Sequence, residues 1–139
     1  MCKILFVGSN PSQKAGKTVA FWHDARSTKI LNKWTSRLDG SQIESISFAN
    51  VSNAVTPGNR PLTSSEIQVA SPRLKADIDK MQPTKIIALG KTAEKALTLL
   101  GLQFYAMPHP SGLNRLLNDP AFVEEKINGL KNYINPPKD

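Results

Sequence analysis

Residues 4–12 read ILFVGSNPS and decide the fold. The first four are continuously apolar, whereas a strand with one face in water would alternate apolar and polar residues. A continuous run is typical of a parallel strand covered by helices on both faces. Gly8 then ends the strand, and Asn10 with Pro11 has the composition of a turn. The stretch therefore predicts a buried strand with a polar loop at its carboxyl end.

Further elements follow from the remaining apolar patterns. Three more runs predict strands, at residues 43–49, 85–89 and 104–107. Helical spacing of apolar residues and capping signals predict four helices, at residues 27–38, 63–81, 92–100 and 119–133. Pro72 predicts a kink or break in the second helix. Alternating strands and helices predict a three-layer α/β/α sandwich with a central four-stranded parallel sheet.

Composition indicates one soluble, folded domain over residues 1–139. Apolar residues make up 40% of the chain and charged residues 21%, near the globular average. The absence of a long apolar run or signal-peptide pattern leads us to expect a cytoplasmic protein. The single cysteine, Cys2, excludes an internal disulfide and fits a reducing compartment. A net charge of +7 favours polyanions such as nucleic acid, although many basic proteins have only a solvated positive surface.

A second polar stretch follows the last predicted strand. Residues 109–115 read HPSGLNR, and Pro108 and Pro110 hold this loop away from helical geometry. The carboxyl ends of parallel strands lie at one edge of the sheet, so this loop and the one after Gly8 converge on the same crevice. The sequence therefore predicts a ligand site there.

One short motif suggests a different function. Gly16-Lys17-Thr18 resembles the end of a phosphate-binding P-loop, which needs a glycine five positions before Gly16. Pro11 occupies that position, and Gly8 is eight residues upstream, so the loop has the wrong length. A nucleotide-phosphate enzyme is the weaker alternative.

The two polar loops resemble the first and last motifs of the uracil-DNA glycosylase superfamily. The first motif begins with Gly and ends in Pro-Gly or Pro-Ser, and its mismatch-specific branch has Asn where Asn10 stands. The last motif begins His-Pro-Ser, as residues 109–111 do. The middle of the chain is similar to the iron-sulfur branch, at residues 48–50, 57–61, 65–67 and 83–90. The resemblance implies an α/β enzyme that flips a damaged base, most often uracil, out of DNA and removes it as the first step of base excision repair.

The resemblance also implies roles for individual residues. Asn10 would position the attacking water near C1′, and His109 would stabilise the charge that develops on O2 of the departing base. Asn50 would pair with O4 and N3–H of the flipped base, which would stack on Phe21 or, as second choice, on Trp22. The remaining substrate contacts would come from Gly8 and Ser9.

DNA contacts are implied for the two loops as well. Leu113 would fill the space that the flipped base vacates, and phosphates would be bound by Ser12, Ser111 and Arg115. The expected partner is DNA containing uracil or a modified base, bound by a monomer.

Two departures from the family keep alternatives open. The iron-sulfur branch binds its cluster with four cysteines, and Ala54 and Ala70 stand at two of those places, so no metal or other cofactor is expected. The first motif has no acid, and an amide such as that of Asn10 cannot take a proton. The base removed is therefore uracil or a relative such as hydroxymethyluracil, hypoxanthine or a mismatched base. The alternative is a catalytically silent DNA-binding protein with the same fold.

Overall fold

The computed structural model describes residues 2–9, 25–52, 62–108 and 118–134. Four strands alternate with four helices in this part of the chain. The strands are β1 (Cys2–Gly8), β2 (Ile43–Asn50), β3 (Lys85–Leu89) and β4 (Tyr105–Met107). The helices are α1 (Ala25–Thr35), α2 (Ser64–Met81), α3 (Lys91–Leu99) and α4 (Pro120–Ile134), and a single 3-10 turn, Gly40–Gln42, precedes β2.

The sheet is parallel, with the strand order β2-β1-β3-β4. The chain passes from β1 to β2 on one side and then crosses to β3 on the other side of β1. The order therefore reverses between β1 and β3. In open α/β sheets, ligands bind in the crevice outside the carboxyl ends of the strands at such a reversal.

Helices cover both faces of this sheet, as the continuous apolar strands predict. Leu5 and Val7 belong to a core cluster with α2 and α3, whereas Ile4 and Phe6 belong to a cluster with α1 and α4. Successive residues of a strand point to opposite faces, so a strand buried on both sides needs apolar residues at every position. The predicted three-layer sandwich with a four-stranded parallel sheet is confirmed.

Helix α2 continues through Pro72 without a break. The proline nitrogen cannot donate to the carbonyl of Gln68, but both residues are exposed, so water can reach the carbonyl that loses its partner. The predicted capping box is present: Thr63 Oγ1 accepts from the Glu66 amide at 3.2 Å, and Glu66 Oε1 accepts from the Thr63 amide at 2.9 Å. Helix α2 therefore has a well-defined start beside the carboxyl edge of the sheet.

Within the described ranges, no helix is both long and apolar enough to cross a membrane.

Candidate active site

The carboxyl ends of β1 and β2 lie side by side. Gly8 is paired with Asn50 in the parallel register, and the ladder continues beyond both strands. The Val51 amide donates to the Gly8 carbonyl at 2.9 Å, and the Ser52 amide donates to the Ser9 carbonyl at 3.0 Å. The two segments thus leave the sheet joined by main-chain hydrogen bonds, which brings three sequence-predicted substrate residues, Gly8, Ser9 and Asn50, to one place.

Asn50 is a buried polar residue with an unmet hydrogen-bonding capacity. Its side chain is 4% exposed, and Oδ1 has no hydrogen-bond partner among the described residues. A buried acceptor without a partner costs about 1–3 kcal/mol, so most buried polar groups are paired. An acceptor of this kind is suited to a ligand that brings an N–H group to it.

Gly8, the register partner of Asn50, has no side chain. Residues paired in a parallel register place their side chains on the same face of the sheet, about 4.8 Å apart. Two positions earlier on that face, the rings of Phe6 and Phe48 stack with centroids 5.7 Å apart. The aromatic pair packs next to the Gly8–Asn50 pair on this face, and Gly8, which is buried, adds no side chain beside Asn50.

The ends of β3 and β4 are joined in a similar way. The Gly90 amide donates to the Met107 carbonyl at 3.0 Å, and Gly90 has φ 93° and ψ 175°, a conformation that is almost confined to glycine. This bond holds the end of β4 against the start of α3. Pro108, the residue before His109, therefore lies at the same edge of the sheet as Gly8. Strands β1 and β4 are separated by β3, so the two strand ends are about 10 Å apart, or two strand spacings.

Arg73 contacts the end of β2 and is not singled out by the sequence. Its Nη2 donates to the carbonyls of Asn50 and Val51 at 3.0 and 3.1 Å, and its Nη1 donates to Asp77 Oδ2 at 2.7 Å. The four-residue spacing from Arg73 to Asp77 indicates an ion pair on one helix face. No sequence pattern indicates the contact with β2.

Most of the sequence-predicted site residues lie outside the described residues. These are the two catalytic candidates, the stacking candidates and the DNA contacts: Asn10, His109, Phe21, Trp22, Ser12, Ser111, Leu113 and Arg115. Their roles remain predictions. The P-loop-like residues 16–18 lie outside the described ranges as well.

The residues present do not fit an iron-sulfur cluster. Ala70, at one of the places where the similar branch has cysteine, is a half-buried residue of α2 whose methyl group offers no ligand. Cys2 is the only cysteine of the chain, and its thiol contacts the Ile134 carbonyl at 3.6 Å, at the amino end of β1 and thus at the opposite edge of the sheet from Asn50. A cluster needs several thiolates together, and this chain does not supply them.

Two surface depressions are lined by described residues, and one of them adjoins the end of β2. One, of about 430 Å³, has described lining residues on α2 and at Ser52. The other, of about 330 Å³, lies near the amino edge of the sheet, between the segment before β2 and the end of α4. The described lining of neither includes Asn50, so the crevice at the end of β1 and β2 is the better candidate on chemical grounds.

Comparison with known families assigns most of the chain to one family. The family model described as the uracil DNA glycosylase superfamily matches residues 1–131. No curated protein matches the chain significantly. The family match covers all four strands and the described part of the crevice.

Proposed function

Since the chain belongs to the uracil DNA glycosylase superfamily, we propose that it removes uracil from DNA. Membership of this superfamily supports DNA glycosylase activity in general. The observation that carries the proposal is the buried amide of Asn50 at the end of β2, whose Oδ1 has no partner among the described residues. Uracil presents an N3–H donor between two carbonyl acceptors. An Asn amide can accept from N3–H and donate to O4, so the two edges are complementary.

The reaction needs the base to leave the helix first. A base stacked in the duplex cannot reach a residue that is 4% exposed, so the nucleotide must be flipped into the crevice. The C1′–N1 bond then breaks, its electron pair goes to the base, and the oxygen of a water molecule bonds to C1′. The proton lost by the water replaces the sugar on the departing base. Asn10 and His109 are proposed to position that water and to stabilise the anionic base.

The described part of the crevice contributes recognition through neutral groups. Gly8 and Asn50 carry no charge, so their contribution to the reaction does not depend on a proton that they gain or lose. The energy for flipping must come from the rest of the interface, and the net charge of +7 supports attraction to the phosphate backbone. Removal of a related base with the same N3–H and O4 edge fits the crevice equally well.

The test replaces Asn50 with Leu, an apolar residue of similar shape. Removal of an unpaired buried acceptor should leave the free energy of unfolding unchanged or raise it, by up to about 1–3 kcal/mol. The same change should abolish cleavage of a uracil-containing oligonucleotide, measured as alkali-labile breaks. Asn128→Leu makes the same chemical change on an exposed position of α4 and should leave cleavage intact.

Two results would contradict the proposal. A folded wild-type protein that cuts no uracil or modified-base oligonucleotide would leave only DNA binding as its function. A large loss of stability in Asn50→Leu would mean that the amide is hydrogen-bonded within the protein and is not available to bind a base.

A further inference from the structure

Arg73 links helix α2 to the end of the strand that carries Asn50. One nitrogen of its guanidinium donates to two successive main-chain carbonyls, those of Asn50 and Val51, at 3.0 and 3.1 Å. The other terminal nitrogen donates to Asp77 at 2.7 Å, one turn further along the helix. The planar guanidinium is thereby oriented by a carboxylate on one side and bound to the strand on the other.

Among the described residues, the main chain at this point of β2 is bonded to β1. In the sheet formed by the described residues, β2 is an edge strand and has β1 as its neighbour. Beyond Asn50, the described main-chain bonds to β1 are those of Val51 and Ser52. Carbonyl groups at the end of an edge strand would otherwise bond to water, which does not hold them in one direction. Arg73 replaces that water with a charged donor attached to the fold.

Helix α2 is a firm support for this contact. It begins at the Thr63–Glu66 capping box. Buried residues on both sides of Arg73 in sequence attach the helix to the sheet, namely Ile67, Leu74 and Ile78, all at most 4% exposed. The core therefore fixes the position of the Arg73 backbone, and the hydrogen bonds of the Arg73 side chain fix the carbonyls at the end of β2 relative to it.

We propose that Arg73 is a positioning residue for base recognition, which holds the main chain of Asn50 so that the side-chain amide faces the flipped base at the correct depth. The inference rests on the proposed function of Asn50. Arg73 itself does not touch the base. Its effect is on the geometry of the amide, and a misplacement of about 1 Å can lower a rate about 100-fold.

The test compares Arg73→Ala, Arg73→Lys and Lys75→Ala. Lys75 is the matched control because it forms an ion pair with Asp79 at 2.5 Å with the same four-residue spacing on the same helix. Within the described part of the chain, its ammonium makes no hydrogen bond to β2. With a uracil oligonucleotide, Arg73→Ala should lower kcat at least about tenfold while KM, which reports largely on phosphate contacts, changes less than about twofold. Arg73→Lys should recover part of kcat because lysine can donate to one of the two carbonyls, and Lys75→Ala should resemble the wild type.

Amide hydrogen exchange gives a second readout that needs no activity. In Arg73→Ala, exchange at Val51 and Ser52 should be at least about tenfold faster, whereas exchange at Ile87 and Leu89 in the central strand β3 should be unchanged. A purely structural role would speed exchange throughout the sheet and lower activity only in proportion to the unfolded fraction.

The outcomes separate this inference from the proposed function. An active wild type whose Arg73→Ala variant keeps its kcat would overturn the role of Arg73 and leave the proposed function intact. An equal loss of kcat in Lys75→Ala would also overturn it, because the effect would then come from helix α2 in general. A wild type that cleaves no base would overturn both.

Discussion

Asn50 combines two properties that rarely occur together, burial and an acceptor without a partner among the described residues. Such a group lowers the stability of the folded state, and buried unpaired groups are therefore found mainly at functional sites. Its main-chain carbonyl accepts from Arg73, and the amide of the next residue, Val51, donates to the Gly8 carbonyl. The main chain is held while the side-chain acceptor stays available, which is the arrangement that base recognition requires.

The space beside Asn50 can be tested at Gly8. A methyl group at this position would lie on the same face as the amide, about 4.8 Å away, where the base must approach. We expect Gly8→Ala to lower kcat/KM for a uracil oligonucleotide between about 10- and 100-fold, and Gly8→Val to lower it further. Because Gly8 is buried, the added atoms should also lower the free energy of unfolding by about 1–3 kcal/mol, so activity is compared on protein that urea denaturation shows to be folded.

Gly40→Ala is the matched control for this comparison. A Cβ built at Gly40 meets nothing within 4 Å, and the residue lies before the amino end of β2. The activity of the Gly40→Ala variant should equal that of the wild type. Full activity in a folded Gly8→Val variant would show that the base does not approach across Gly8.

Between elements, the contact of α4 with β4 depends on a glycine inside a helix. The Tyr105 hydroxyl donates to the Lys126 carbonyl at 3.0 Å, and its ring stacks on Tyr133 with centroids 5.7 Å apart. A Cβ at Gly129 would overlap the Tyr105 hydroxyl and lie 2.9 Å from Cζ. The ring is held by its strand, by the hydrogen bond and by Tyr133, so it has little freedom to move away.

Replacement of Gly129 with Ala sets two effects against each other. Helix propensity alone predicts a gain of about 0.5–1 kcal/mol, whereas overpacking costs about 1–3 kcal/mol. We expect the second effect to dominate, so that urea denaturation shows a lower free energy of unfolding. In a Tyr105→Ala background, where the ring is absent, the same substitution should be stabilising, and a stabilising effect in the wild-type background would contradict the packing described here.

The elements could be predicted from the sequence to different degrees. Strand β3 matches its predicted bounds, and the other three strands and helices α2, α3 and α4 agree with theirs within two residues at each end. The prediction for α1 is wrong at its end, because the helix ends at Thr35, three residues before Leu38. The capping box succeeded because its hydrogen bonds join residues three apart. The possible break at Pro72 does not occur, because burial of Leu74 and Ile78 beyond it holds the helix together.

For the molecule as a whole, stability should decline at alkaline pH. Burial raises the pKa of both Tyr105 and Tyr133 above the ordinary value of 10.0. The folded state therefore favours the protonated phenols, and unfolded chains lose these protons first. The stabilisation is fully present below about pH 10 and is lost as the pH rises through the higher pKa values of the folded protein.

The measurement is urea denaturation at about pH 9 and about pH 11. The wild type should lose stability between the two, and a variant with both Tyr105→Phe and Tyr133→Phe should lose less because it has no phenol to ionise at these positions. An equal loss in both proteins would assign the alkaline sensitivity to other groups, such as the lysines.

The sequence by itself determined the layered fold, because continuous apolar strands and amphipathic helices have no other way to bury their surfaces. It also placed Gly8 and Ser9 at the carboxyl end of a strand, whereas Asn50 was indicated by the resemblance to the glycosylase family. Only the tertiary structure decided that Asn50 is buried with an acceptor that has no partner among the described residues, and that Arg73 is bound to its main chain. Those contacts join residues 23 positions apart on a strand and a helix, and local spacing carries no information about how a side chain on one element meets the backbone of another.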